Sequence, residues 1–329
     1  MGRLVRSALR RSLARIRHVS PVHPSQATGR VADVYADVEA DFGMLAPPIA
    51  LHSPAPEPLA AAWSLLRETL IADGLVDRAA KEAVAAAVSR SNTCPYCVEV
   101  HTATLTGLGA EARHTAIGAW ADRSGDTLPF PAEHLPELLG TATAFHYLNR
   151  MVNLYLDDSP LPANAPAVAS RFLGRFMGAT ARSNHTPGTS LRLLPAAELP
   201  ADLEWTATGP VIADSLGRVA AAFDRAGARV LPADVRDHVA AYVAAWDGEP
   251  KGISRGWAEE AIAALRPGDR PAARLALLTA LASYQVDDAV IAGFHRDDRS
   301  LVELTSWASF TAARRMASLT HRIDRASEA

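Results

Sequence analysis

The 329-residue chain is expected to be all-α, folded as two homologous helical lobes, and three observations predict this. Apolar residues recur at helical spacing along most of the chain, and no stretch shows the single alternation that a half-buried strand requires. Alanine is abundant while aromatic residues make up only 6%, a balance that suits helices packed at close range. Finally, LVDRAAKEAVAAAV at 75–88 aligns without gaps on VLPADVRDHVAAYV at 230–243, and Phe145, Arg150 and Met151 match Phe310, Arg315 and Met316 at an offset of 165. Similar helices recurring in order indicate a duplicated unit.

The first eighteen residues carry six arginines and no acid, interleaved with Leu4, Leu9, Leu13 and Ile16. A basic helix packed on, or frayed from, its own domain is expected; an amphipathic anchor on an acidic membrane surface and an organelle transit peptide are the alternatives. Residues 29–42 read as a helix with Val31, Val34, Tyr35, Val38 and Phe42 on one face, ended by Gly43 and the pair Pro47-Pro48. A second helix is expected at 57–72, closed by Asp73-Gly74. The third, 76–90, is apolar on two sides and belongs in the interior, so Glu82 is buried there and needs a partner.

Ser91-Asn92-Thr93 breaks that helix and offers caps for the next, which starts near Cys94 with Pro95 in the first turn and ends by Gly107-Leu108-Gly109. A short helix at 110–120 and a long one at 134–156, containing FHYLNRMVNLYL, complete the first lobe. The domain reading is a basic segment at 1–28, a catalytic unit at 29–160, a linker at 161–210 and a degenerate repeat at 211–329. At an offset of 155 the positions of Cys94, Cys97 and His101 become Glu249, Gly252 and Gly256, so the second copy has lost the chemistry.

Composition narrows the class. A net charge of −3 gives no reason to expect a nucleic-acid partner. No apolar run reaches the ~20 residues that span a bilayer, so no stable membrane insertion is expected. Two cysteines in a chain this long are no disulfide framework; they suit a reducing, cytoplasmic setting in which a thiol pair reacts or binds metal.

Those two, Cys94 and Cys97, form a Cys-x-x-Cys, with His101 four positions on. A thiol at a helix start meets backbone N–H groups that stabilise thiolate, and residues four apart share a helix face, so the imidazole can take a thiol proton. Glu82, from the preceding helix, can orient His101 as the third member of a relay. A raised pKa at Glu82 and a lowered one at Cys97 are expected. A zinc site of Cys94, Cys97, His101 and a fourth ligand is the weaker reading, since no second Cys/His pair lies nearby; inert buried cysteines are the other.

Glu82, Cys94 twelve residues on, Cys97 and His101 resemble the Glu…Cys-x-x-Cys-x-x-x-His signature of the AhpD-like alkylhydroperoxidases in the carboxymuconolactone decarboxylase superfamily. DFG before Ala-Pro-Pro, the following Ser-Pro turn and FHYLNRM are similar to that group as well. The resemblance covers about residues 30–156, with an echo in the second half as in two-lobed actinobacterial members. It implies an all-helical homo-oligomer that reduces hydroperoxides without a cofactor, recycled by an external dithiol or disulfide-reductase partner. It further implies Cys97 as the peroxidatic thiol, Cys94 as proton donor and resolving thiol, and His101 with Glu82 as the proton relay. Tyr96 stands where some AhpD proteins place a histidine. The cysteine pair argues against the lactone-decarboxylating branch. A general thiol–disulfide oxidoreductase and a non-enzymatic redox-sensing scaffold are the alternatives.

Overall fold

A computed structural model describes residues 13–110, 114–125, 127–162, 165, 168–294 and 296–327, with side chains as far as His321. Most of the arginine-rich N-terminal segment therefore lies outside the described residues. Its last part packs on the protein's own surface: Leu13 and Ile16 sit against the core, and Arg17 donates to the carbonyl of Leu156. Among the described residues there is no strand, and all regular structure is helical, as expected.

The first half opens with α1 (Gly29–Phe42), whose expected stripe of Val31, Val34, Tyr35, Val38 and Phe42 is buried and whose end is Gly43 at φ 72°. A short α2 (Pro47–Ala50) leads to α3 (Pro56–Leu66), which widens into a π-helical turn at Arg67–Ile71. α4 (Arg78–Ser91) starts on Asp77, whose carboxylate accepts from the Ala80 amide at 2.8 Å. Every residue from Ala79 to Ser89 is buried, so the all-round apolar pattern does mark an interior helix. Then come α5 (Pro95–Leu108), α6 (Thr115–Ala121) and the long α7 (Leu135–Tyr155), buried along nearly its whole length.

The stretch expected as a linker carries more structure than its composition suggests. It holds α8 (Val168–Thr180) and two 3-10 turns, Thr189–Leu193 and Ala201–Thr206. Gly174 and Gly178 of α8 let two backbones meet. A Cβ on Gly107 of α5 would lie 2.0 Å from the Gly174 carbonyl oxygen, and one on Gly178 would lie 2.6 Å from the Gly107 carbonyl.

The second half comprises α9 (Pro210–Val230), α10 (Ala233–Ala245), α11 (Gly256–Ile262), α12 (Arg270–Leu281), α13 (Asp288–Phe294) and α14 (Asp298–Ser327). Both aligned stretches form helices, α4 and α10. The two matched arginines also act alike: Arg150 Nε donates to the Ala280 carbonyl at 2.7 Å, and Arg315 Nε to the Trp246 carbonyl at 2.6 Å. One apolar core runs through both halves. Its centre is the cluster of Tyr147, Phe223 and Phe310 from α7, α9 and α14, with ring centroids 4.8 Å (Tyr147–Phe223) and 5.1 Å (Phe223–Phe310) apart. Each such buried ring contributes roughly 1.5–3 kcal/mol. The buried His52 ring lies 2.7 Å from the Tyr147 hydroxyl, and burial pushes its pKa down to about 3. No helix among the described residues is long and apolar enough to cross a membrane.

Candidate active site

The site forms where α4 stops and α5 starts. Ser91-Asn92-Thr93 is the break, and Thr93 takes φ 51°, a left-handed conformation that a β-branched residue adopts only under constraint. The turn is closed by the Cys94 amide, which donates to the Ser89 carbonyl at 3.0 Å. Cys94 becomes the N-cap of α5, Pro95 fills the first helical position where its missing N–H costs nothing, and Cys97 falls in the first turn. Both cysteines are free thiols, 1% and 4% exposed, and the Cys94 sulfur donates to that of Cys97 across 2.7 Å. Two sulfurs this close exchange a proton or a bond without rearranging the backbone.

One turn along α5, His101 presents Nδ1 to Glu82 Oε2 on α4 at 2.6 Å. The other carboxylate oxygen, Oε1, accepts from Arg78 Nε at 2.8 Å, one turn back on α4. The acid is thus held from both sides, and its hydrogen bond to Nδ1 leaves Nε2 as the nitrogen that can exchange protons. Glu82 with His101 and Cys94 with Cys97 thus form two pairs, both reached from α5. Among the described residues, neither sulfur hydrogen-bonds the imidazole; the relay lies one helical turn from the thiol rather than against it.

Both pKa expectations are corrected. Burial alone would raise Glu82, but Arg78 and His101 together outweigh it and hold the carboxyl below its usual range. Arg78, four residues before Glu82, was the signal in the sequence. For Cys97 the balance runs the other way. Burial, then the hydrogen bond and charge of Cys94, push the thiol well above its ordinary value, and a hydrogen bond from Asn149 opposes them. Helix-start amides do not overcome desolvation that complete. Burial also raises the phenol of Tyr96, with Cys97 as the next cause, so this residue stays protonated.

The third wall is α7, the long helix that carries FHYLNRM. Phe145 lies edge-on to the His101 ring at 4.4 Å, and Asn149 follows one turn later on the same helix. Behind Asn149 lie Ser89, Asn92, His146 and Arg150. Asn149 Nδ2 donates to Ser89 Oγ at 3.0 Å, Asn92 Nδ2 donates to Asn149 Oδ1 at 2.9 Å, and Arg150 Nη1 donates to Asn92 Oδ1 at 3.4 Å. Burial pushes Arg150 down to about 10, still a cation at neutral pH. Polar residues at helical spacing within an otherwise apolar run (His146, Asn149, Arg150, Asn153) were the signal for this wall.

Among the described residues no group of three or more His, Cys, Asp or Glu side chains is arranged to hold a metal ion. A cavity of about 310 Å³ lies between α4, α5 and α6, lined by Arg90, Thr102, His114 and Ser124 among others. A groove of about 620 Å³ runs between α5 and α8. Neither is lined by the sulfurs.

A tight Cys-x-x-Cys at a helix start, followed one turn on by a histidine that a buried glutamate of the adjoining helix holds, defines a class that comparison names. The chain belongs to the carboxymuconolactone decarboxylase family, whose model matches residues 57–122, the span from α3 through α6 that holds Glu82, both cysteines and His101. More particularly, it is 38% identical over 325 residues to a Mycobacterium tuberculosis protein named alkyl hydroperoxide reductase Rv2159c, covering 92% of this chain and 94% of that protein. No solved structure matches the chain.

Proposed function

We propose that the protein is a thiol-dependent peroxidase that reduces hydroperoxides at Cys97. The observation that carries this reading is the free Cys94–Cys97 pair at 2.7 Å, one turn from the His101–Glu82 pair. The name of the M. tuberculosis relative supports it.

In the first step the Cys97 thiolate attacks the terminal oxygen of ROOH. An S–O bond forms, the O–O bond breaks, and RO⁻ leaves and takes up a proton as ROH. The thiol proton passes to His101, whose imidazolium Glu82 stabilises, and returns from there to the leaving oxygen. Cys97 is now a sulfenic acid. Cys94 attacks its sulfur, the disulfide forms, and hydroxide departs with the second thiol proton as water. An external dithiol then restores both thiols by two-electron exchange, becoming a disulfide itself.

The near-complete burial of both sulfurs favours this reading over exchange with protein disulfides. A hydroperoxide needs only a narrow opening to meet them, whereas a folded substrate needs them at the surface, and the recycling dithiol must be slender. We propose further that residues 211–329 are a repeat whose part is to brace α7, since Ala280 and Ser283 anchor Arg150 and Asn153.

Peroxide consumption with a dithiol reductant tests the mechanism. Cys97→Ser should abolish turnover. Cys94→Ser should consume a single equivalent and hold Cys97 as sulfenic acid, seen as one added oxygen by mass. Wild-type turnover in both variants refutes the proposal.

A further inference from the structure

The cavity between α4, α5 and α6 is apolar along its length and polar at its ends. α6 runs beside α4 in the same direction. His114 Nε2 lies 3.7 Å from Asp77 Oδ1 at one end, and a Cβ on Gly118 would meet that of Ala87 at 3.6 Å midway. This brings Asp122 toward the level of Arg90. Between the ends the space is faced by Ala83, Ala86, Leu105, Ala110 and Ala119. Four of these, all but Ala119, belong to a small apolar cluster separate from the main core. About 310 Å³ is the liquid volume of about ten waters, so the space suits a body of about ten non-hydrogen atoms.

The two ends differ in charge. Arg90 lines one of them, and among the described residues its guanidinium has no hydrogen bond or ion pair. Asp122, which lines the same cavity, turns Oδ1 to the Ser124 amide at 3.1 Å and to the Ser124 hydroxyl at 2.6 Å. The arginine is left uncompensated. At the other end His114 takes φ 104°, a conformation that a residue with a side chain holds only under constraint, and its buried Nε2 makes no hydrogen bond. An apolar space with a few polar groups converging on it is the form of a small-molecule site.

We propose that this cavity binds a small carboxylic acid with a slender apolar chain, its carboxylate on Arg90 and its chain laid over the alanines toward His114. The planar fork of guanidinium donors matches a carboxylate, and Arg90 gives up no bond within the fold to make the contact. A sugar or nucleotide would leave its hydroxyls unpaired against Ala83, Ala86 and Ala119, and an amine would meet Arg90 as a like charge. Ala83 follows Glu82 in the chain and Thr102 follows His101, so the occupant rests against the two helix turns that carry the Glu82–His101 pair. The site stands whether or not Cys97 reduces hydroperoxides.

Octanoate, a chain of about ten non-hydrogen atoms, is the probe, titrated into the full-length protein by calorimetry and by amide NMR shifts. It should bind saturably, with a Kd between about 0.1 and 10 mM. The shifted amides should gather at 83–90, 102–105 and 114–124. Octan-1-ol, equal in length but uncharged, should bind roughly three- to tenfold more weakly. Arg90→Gln should weaken octanoate by that same factor and leave octan-1-ol unchanged. Ala86→Leu and Ala119→Leu fill the space and should each weaken both ligands by about tenfold or more. Arg90 is exposed, so its variant decides the matter if neither filled variant folds. Absence of saturable octanoate binding overturns the inference. So does octanoate binding that the folded leucine variants leave intact, which puts the ligand elsewhere. Octan-1-ol or octylamine binding as tightly as octanoate, or an Arg90→Gln protein with wild-type affinity, refutes the carboxylate seat and the proposal with it.

Discussion

Glu82→Gln isolates what the buried carboxylate contributes. The side chain of Glu82 is 1% exposed and that of Arg78 15%, so both hydrogen bonds to the acid form largely away from water. Each charge-assisted bond contributes roughly 1.5–3 kcal/mol, and the glutamine oxygen keeps one weaker bond of roughly 1 kcal/mol, which leaves a net loss of about 2–5 kcal/mol at pH 7. The loss has a pH signature. The folded-state pKa of Glu82 lies below the ordinary 4.5, so its stabilisation is complete above about that pH and is lost as pH falls through the folded value. Urea denaturation of wild type and variant, at neutral pH and at steps down into the acid range, reads both effects. The gap should be widest at neutral pH and close as the solution becomes acid. A variant as stable as wild type at pH 7, or a gap that does not change with pH, refutes the account of Glu82 as an anion clamped between Arg78 and His101.

Other outcomes follow from the same geometry. His52 is neutral in the fold with a pKa of about 3 against an ordinary 6.5, so the unfolded chain binds its proton first; this stability is whole above about 6.5 and is lost as pH falls toward 3. His52→Gln should flatten that part of the pH–stability curve in thermal melts, and an unchanged slope contradicts the assignment. Gly107→Ala places a methyl 2.0 Å from a backbone oxygen and should destabilise by about 1–3 kcal/mol or more, with earlier proteolysis within 168–180; wild-type stability there refutes the close crossing. Thr93→Gly relieves a left-handed β-branched residue and should stabilise the protein by about 1 kcal/mol in urea, while a loss would show that Thr93 is not strained.

The parts of the fold that were legible in sequence are those in which local chemistry and burial agree. α1 shows its stripe and its glycine stop, α4 its all-round apolar surface, and α5 a proline that only a first turn accepts. α8 was not legible, because Gly174 and Gly178 are poor helix formers whose value is intimacy with a partner far along the chain. At the site, the Cys94–Cys97 pair and the Glu82–His101 pair were each legible, since neighbours on one helix and on the next are encoded locally. The signs of the pKa shifts depend on how completely water is excluded and on which cations remain, and only the packed structure sets those. Asn149 was hidden for a related reason. A lone amide in FHYLNRM is one polar residue on a buried helix until Ser89 and Asn92 are seen on either side of it.

The seat of α8 on α5 has a consequence for assembly. With glycine backbones touching, the outward side of the cysteine-bearing helix is already taken by the chain's own later residues, and Arg182 fastens the join by donating to the Gly107 carbonyl. A second molecule approaching from that quarter meets Val168 and Phe172, the apolar residues that α8 turns to solvent, and not the helix that carries the sulfurs. Any quaternary contact made there would leave the reactive centre of each subunit wholly its own.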